Sequence, residues 1–281
     1  MELPAETPAV AEEAAEPVRH SRRRPAGALR RRWVGRIAVL AVLLAWQGAV
    51  AVGLIPGDLL PGPIAVAGAF WHVLWHGYRG TTLLFDVAST VGRCLAGFLL
   101  ALLAGVPLGL WMGVNRVAAA LFDYLVQFLR PLPPLSYMIL LILWFGTGNL
   151  SKILLLFLTA FPIVASAAMA GVRGVPRLRT QAAAMLGANR RQIFLQVMLP
   201  SAAPMIFTGL KIALAAAFST VVAAEFVTAH SGLGWMVLSA SKYLQNATVL
   251  MGVVLLGLIG MALSRGLHLL DVRLVHWRRV G

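Results

Sequence analysis

Charged side chains are scarce in this sequence, and that scarcity decides its class. Only 12% of the 281 residues are Asp, Glu, Lys or Arg, 59% are apolar, and the mean hydropathy is +0.82. Ordinary soluble chains carry about 25% charged and about 45–50% apolar residues. Too little polar surface remains to cover a core in water, so lipid must be the solvent for much of the chain. Cysteine is nearly missing: the lone Cys94 excludes an intramolecular disulfide and any cysteine-based metal site. Acids are sparse as well. Five of the ten (Glu2, Glu6, Glu12, Glu13, Glu16) open the chain, leaving Asp58, Asp86, Asp123, Glu225 and Asp271 for the rest. The only lysines are Lys152, Lys211 and Lys242, and none completes a Gly-x-x-x-x-Gly-Lys-Ser/Thr phosphate loop. No Ser-His-Asp, Cys-His or paired-carboxylate spacing stands out, so the chain is expected to do no covalent chemistry and to be no enzyme.

What is present is apolar length. Windows free of charge run over 37–57, 94–115, 131–151, 153–172 and 243–264, although the third apolar stretch begins as early as Val117. Each holds about twenty residues, enough to cross a hydrocarbon core of about 30 Å. A sixth window, 204–228, carries Lys211 near its start and Glu225 near its end. The expectation is an all-α polytopic membrane protein with six transmembrane helices, a basic disordered tail over 1–32 and a membrane domain over 33–281. The first apolar run follows a basic region and ends Ala49-Val50-Ala51, as a secretory signal does. It is read as a span, because it is long enough to cross and five more follow.

The net charge is +14. In a soluble protein that would suggest nucleic acid, but here the basic residues sit in short blocks beside apolar runs. Seven arginines from Arg19 to Arg32, then Arg36, Arg116, the loop 171–205 and the end of the chain carry most of them. The positive-inside rule places these segments, and both termini, in the cytoplasm. Outside lies 64–75, with Trp71, His72, Trp75 and His76 at helical spacing; tryptophan favours the headgroup region, so this reads as an interfacial helix. The histidine pair has no third ligand nearby, and no metal site is expected.

The longest inside loop carries the informative pattern: Gln181-Ala182-Ala183-Ala184-Met185-Leu186-Gly187, then Ala188 to Gln196, then Val197-Met198-Leu199-Pro200. It reads as a short alanine helix stopped at Gly187, where a left-handed cap costs little. A second short helix follows, which Pro200 ends before the next span. Leu186, Ile193 and Phe194 are apolar where no lipid buries them. They either pack on the chain's own helix ends or form a knob for a cytoplasmic partner, and both readings stay open at this level.

The spacing of this loop resembles the cytoplasmic motif of ATP-binding-cassette (ABC) importer permeases: Glu-Ala-Ala, three residues, Gly, nine residues, Ile-x-Leu-Pro. Ala182, Ala183, Gly187, Leu199 and Pro200 match, with Val197 in the isoleucine place; Gln181 departs from the glutamate. Leu60-Pro61-Gly62-Pro63, Arg130-Pro131-Leu132-Pro133-Pro134-Leu135, Trp144-Phe145-Gly146-Thr147-Gly148 and Ala223-Ala224-Glu225 with Gly232-Leu233-Gly234 resemble the narrower pattern of taurine, alkanesulfonate and nitrate permeases. The likeness covers about 55–280 and is nearest the taurine type.

That resemblance implies a type I ABC importer permease fold, pairing with a second copy of itself. It also implies two copies of a cytoplasmic ABC ATPase, which would bind ATP and Mg, and a periplasmic or lipid-anchored substrate-binding protein. The setting would be membrane lipid of the bacterial inner membrane. No cofactor in this chain and no nucleic acid is implied. Gln181, Ala182, Ala183, Leu186, Gly187, Phe194, Leu199 and Pro200 would form the ATPase coupling surface, and a small sulfonate such as taurine would be the solute. A nitrate or thiamine-precursor permease remains an alternative within the family.

Two intramembrane charges are candidates for the translocation path. Arg130 precedes three prolines that must interrupt a helix, and broken backbone at membrane depth is tolerated only in protein or beside a cavity. Its guanidinium suits a sulfonate, or else it is a structural pair with Asp123 or Glu225. Glu225 is a candidate for the path or its outer gate. Outside the family, a gradient-driven transporter using Glu225 and Asp123, or a scaffold holding lipid through Arg19–Arg32, are the rivals.

Overall fold

The computed structural model describes the backbone of residues 27–275 and side chains from Ile37 onward. The chain divides into two units between Trp46 and Gln47, and the packing described below belongs to the second. Eleven α-helices are described: α1 Gly27–Ala51, α2 Pro63–His76, α3 Leu83–Val114, α4 Arg116–Leu129, α5 Pro134–Phe145, α6 Asn149–Arg173, α7 Arg177–Met185, the single turn α8 Arg190–Gln192, α9 Leu199–Thr228, α10 Leu233–Lys242 and α11 Asn246–Leu274. A π-helical stretch, Ile193–Met198, joins α8 to α9. Among the described residues there is no strand, only one bridge between Tyr78 and Thr81. The expected all-α class is what forms.

Local chemistry sets the ends. Thr82 caps α3 by accepting from the Phe85 N–H at 3.3 Å. Asn115 ends α3 and starts α4, its Oδ1 accepting from Val117 N at 2.8 Å and Ala118 N at 3.3 Å. Such caps satisfy helix N–H groups that have no intrahelical partner. Pro134 opens α5, the position where a missing N–H costs nothing.

The centre is a three-helix packing of α3, α6 and α9, with α3 and α6 in the most extensive contact. Cys94, Phe98, Leu156, Val164, Leu210 and Leu214 belong to one buried cluster. Close approach needs small residues on α3. A Cβ on Gly97 would strike Leu156, and one on Gly109 would strike the Ala165 backbone carbonyl. Gly105, four residues before Gly109, likewise meets Val164, so glycine at this spacing serves contact within the chain. On the last helix the same holds for Gly252 against Val237 and Gly260 against Phe218, whereas Gly257 faces open space.

The count of six continuous spans needs correcting. Among the described residues, four helical stretches are long and apolar enough to cross: 83–114, 149–173, 190–228 and 246–274. A fifth crossing exists only if α4 and α5 are taken together, and these are bent by 100° at the break. The expected span 131–151 fails because Pro131, Pro133 and Pro134 interrupt the helix and Gly146, at φ +75°, ends α5. Among the described side chains of α1, Ile37–Ala51 is apolar, and the chain turns through Gly53 at φ +78° instead of continuing to Gly57.

Pro200 also does not end a short helix as expected. The helix runs on from Arg190 to Thr228, because Pro200 falls in the first turn of α9 just after the π stretch. There the shifted ladder accommodates a missing donor. The expected tail over 1–32 lies outside the described residues up to position 26, and positions 27–32 are described as helical backbone continuous with α1.

Candidate coupling surface and translocation cavity

The loop between α6 and α9 is built as a rigid knob. α7 ends in a double bond pattern: Gly187 N donates to Ala184 O at 3.0 Å and Ala188 N to Ala183 O at 3.1 Å. This is the Schellman closure, which needs a left-handed residue after the cap; Gly187 supplies it at φ +83°. Two residues on, Asn189 and Gln192 form a reciprocal capping box at 2.9 and 2.8 Å, which satisfies two orphan donors. Inside the first closure Leu186 stands 88% exposed and Met185 83% exposed. Of the other residues singled out in the sequence, Gln181 and Ala182 are exposed, while Ala183, Phe194, Leu199 and Pro200 are half-buried. Met185 was missed, because in the sequence it reads as one more residue of an alanine helix.

The broken α4–α5 pair, with α6 and α9, walls a cavity of about 630 Å³, within the usual range for small-molecule sites. Arg130 lines it, together with Gln127, Tyr137, Thr159, Ser166 and Thr208. No Asp or Glu is in the wall. Arg130 forms no ion pair among the described residues, so neither expected partner is used. Asp123 keeps a buried Oδ1 without a hydrogen-bond partner.

Glu225 is elsewhere, in a closed polar knot. It is fully buried, and its Oε1 accepts from Arg93 Nη1 at 2.6 Å. Thr90 Oγ1 lies 3.0 Å from both carboxylate oxygens, and Gly234 N donates to Oε2 at 2.9 Å. The Arg93 fork also reaches Ser231 O at 2.9 Å, Ser231 Oγ at 2.8 Å and Asn149 Oδ1 at 2.9 Å. Asp86 accepts from Gly232 N at 2.7 Å and Thr81 Oγ1 at 2.8 Å. Nearby, Lys152 donates to the carbonyls of Thr147 at 2.7 Å and Gly148 at 3.1 Å. The knot ties the starts of α3, α6 and α10 to the end of α9, at the pole away from the α7 loop. Glu225 and Arg130 are thus not brought together. Arg93 was overlooked because it served only to mark the edge of an uncharged window. Asp86, Thr90 and Arg93, spaced by four and three, lie on one helical face, and that was the available signal.

A second ion pair, Lys211 Nζ to Asp271 Oδ2 at 2.5 Å, joins α9 to α11.

Residues 105–276 match the family described as binding-protein-dependent transport system inner membrane component. The chain belongs to that family. It is the membrane-spanning permease subunit of an ABC importer and is not an enzyme. The taurine transport system permease protein TauC of Escherichia coli (strain K12) is 40% identical over 243 residues, 86% of this chain and 88% of that one. A protein named for aliphatic sulfonates transport, SsuC of Bacillus subtilis (strain 168), is 30% identical over 91% of this chain and 92% of its own length. The nitrate import permease protein NrtB of Leptolyngbya laminosa is 33% identical over 72% of this chain and 74% of that one. Among solved structures, an inward-facing MetNI methionine ABC transporter chain superposes with TM-score 0.59 at 20% identity. It covers 69% of this chain and 94% of that one, and it supports the expected type I importer fold.

Proposed function

We propose that this permease carries a small sulfonate, taurine or a close relative, across the bacterial inner membrane, with both termini cytoplasmic. Two copies of a separate ABC ATPase, which hold ATP and Mg, drive it through the loop 171–205. A second copy of the chain completes the pathway, and a periplasmic or lipid-anchored binding protein delivers the solute. The observation that carries this is the knob of Met185 and Leu186, held in the backbone closure at Gly187, followed by the Asn189–Gln192 capping box, and left almost bare. An apolar knob on a fixed turn suits insertion into a groove of another protein. Gln181, Ala182 and Ala183 precede it on α7, Phe194 lies in the π stretch beyond it, and Leu199 and Pro200 open α9. ATP binding would close the ATPase pair, and the loop would pass that movement to α6 and α9, opening the cavity outward. In this reading Arg130 lines the path and Glu225 serves as a fixed anchor at the outer pole.

The test is a pull-down from solubilised membranes with this chain tagged, wild type against Gly187→Asp. A branched, charged residue at φ +83° strains the turn and intrudes on the knob. Co-purification of a P-loop ATPase with the wild type, lost in the variant, supports the reading. ATP hydrolysis stimulated by taurine and not by nitrate then fixes the solute class. Absence of an ATPase under conditions that preserve comparable complexes overturns it in favour of a gradient-driven carrier.

A further inference from the structure

Hydrogen-bond accounting in the cavity distinguishes between ligands that the family resemblance leaves together. Thr159 has one hydroxyl proton, and Oγ1 donates it to Leu155 O at 2.8 Å. The Tyr137 hydroxyl, 3.4 Å from Thr159 Oγ1, must therefore be the donor in that contact, since a threonine hydroxyl holds one proton and two lone pairs. Thr208 likewise commits its proton to Pro204 O at 2.9 Å. Tyr137, Thr159 and Thr208 thus offer the cavity lone pairs and no free proton. Ser166 Oγ, in the same wall, is buried and has no hydrogen-bond partner. Against these acceptors stands Arg130, a guanidinium with five donors and no counter-ion among the described residues.

From this we infer that the cavity is a site for a zwitterion, an aminoalkanesulfonate, in which Arg130 takes the sulfonate and the proton-committed hydroxyls of Tyr137, Thr159 and Thr208 take the ammonium. The inference rests on the reading that this cavity lies on the solute's route. A simple anion fills only the Arg130 part of the requirement. Nitrate or an alkanesulfonate has no N–H to give, and entering the cavity strips water from hydroxyl oxygens that then stay unpaired. An ammonium brings three donors to a wall that has acceptors and no carboxylate. The permease would then discriminate by the ammonium, independently of the binding protein that presents the solute.

The experiment is equilibrium binding of tritiated 2-aminoethanesulfonate to the full chain, co-purified with its ATPase in detergent and without binding protein. Ethanesulfonate and 2-aminoethanol are the competitors. The amino sulfonate is expected to bind about tenfold or more tightly than ethanesulfonate, the weight of one to two charge-assisted hydrogen bonds. Thr159→Val with Thr208→Val should bring the two affinities within about threefold of each other, and Thr159→Ser with Thr208→Ser should restore the gap. Equal affinities in the wild type, or an unchanged ratio in the valine pair, overturn the zwitterion assignment. If Arg130→Gln weakens both sulfonates in that case, the route reading survives alone. If Arg130→Gln changes nothing, or if neither sulfonate binds at millimolar concentration, both fall.

Discussion

Removing the arginine of the buried knot is expected to be the most damaging single change outside the helix core. Glu225 has no exposed surface and Arg93 is 8% exposed, with 2.6 Å between them. In Arg93→Met the carboxylate keeps only two neutral donors, Thr90 Oγ1 and Gly234 N, and loses its cation. The Asn149 and Ser231 acceptors, drawn together by the guanidinium, lose their donor at the same time. Breaking a buried pair by deleting one partner costs about 3–5 kcal/mol. For a chain of this size, that corresponds to a fall in Tm of about 6–20 °C. Glu225→Gln should cost less, about 1–3 kcal/mol. The guanidinium retains three neutral acceptors, and the main injury is one amide NH2 facing the Gly234 N–H. The assay is thermal unfolding of the detergent-purified chain, followed by its tryptophan fluorescence. A Tm for Arg93→Met within about 2 °C of wild type, or a larger loss for Glu225→Gln than for Arg93→Met, would refute the charge accounting.

Four further changes test the packing. Gly109→Ala places a methyl against the Ala165 carbonyl and should cost about 1–3 kcal/mol. Gly92→Ala on the same helix meets nothing within 4 Å and should be neutral or stabilising by about 0.5–1 kcal/mol; Tm values in the reverse order would show that α3 and α6 do not meet as described. Gly232→Ala combines φ +112° with a methyl driven into the Glu225 carboxylate, and should lower stability by at least about 1–3 kcal/mol from backbone strain. Lys211→Met leaves Asp271 nearly buried without its cation, but the ammonium is one-third exposed, so the cost should be only about 1 kcal/mol. A Tm drop as large as that of Arg93→Met would mean this pair is as critical as the knot.

The class was legible because it follows from composition and the length of the apolar runs. Apolar windows fell on α3, α6, α9 and α11, close to both ends of α6 and α9 but short of the start of α3 and of the end of α11, and Gly187 declared the turn that its positive φ confirms. Boundaries failed where charge was used as punctuation. The window that began at Cys94 left out the first turns of α3, and with them Asp86, Thr90 and Arg93, because a charge was read as the end of a span. In a bundle a charge can sit inside a helix if another element brings its complement, and Glu225 lies 132 residues away from Arg93 in sequence. Nothing local announces such a pairing. The intervals of four and three within α3 announce only that the three polar residues share a face.

The prolines after Arg130 were read correctly as a break and still counted as the start of a span, and this conflict shows how the cavity arises. A straight helix through 117–151 would have given the expected crossing and, by packing along α6, would have filled the space that α4 and α5 leave when they diverge by 100°. The three prolines remove backbone donors and fix φ over consecutive positions, so the chain turns at Arg130 and the wall opposite Thr159 and Ser166 stays open. Membrane-depth backbone that is not helical must be held by protein or face a cavity. Here the break itself makes the cavity that it requires, and the residue at the break is the one cation in the cavity wall. The same three prolines that defeat a count of spans therefore place the cavity proposed above as the solute's route, which no apolar window does.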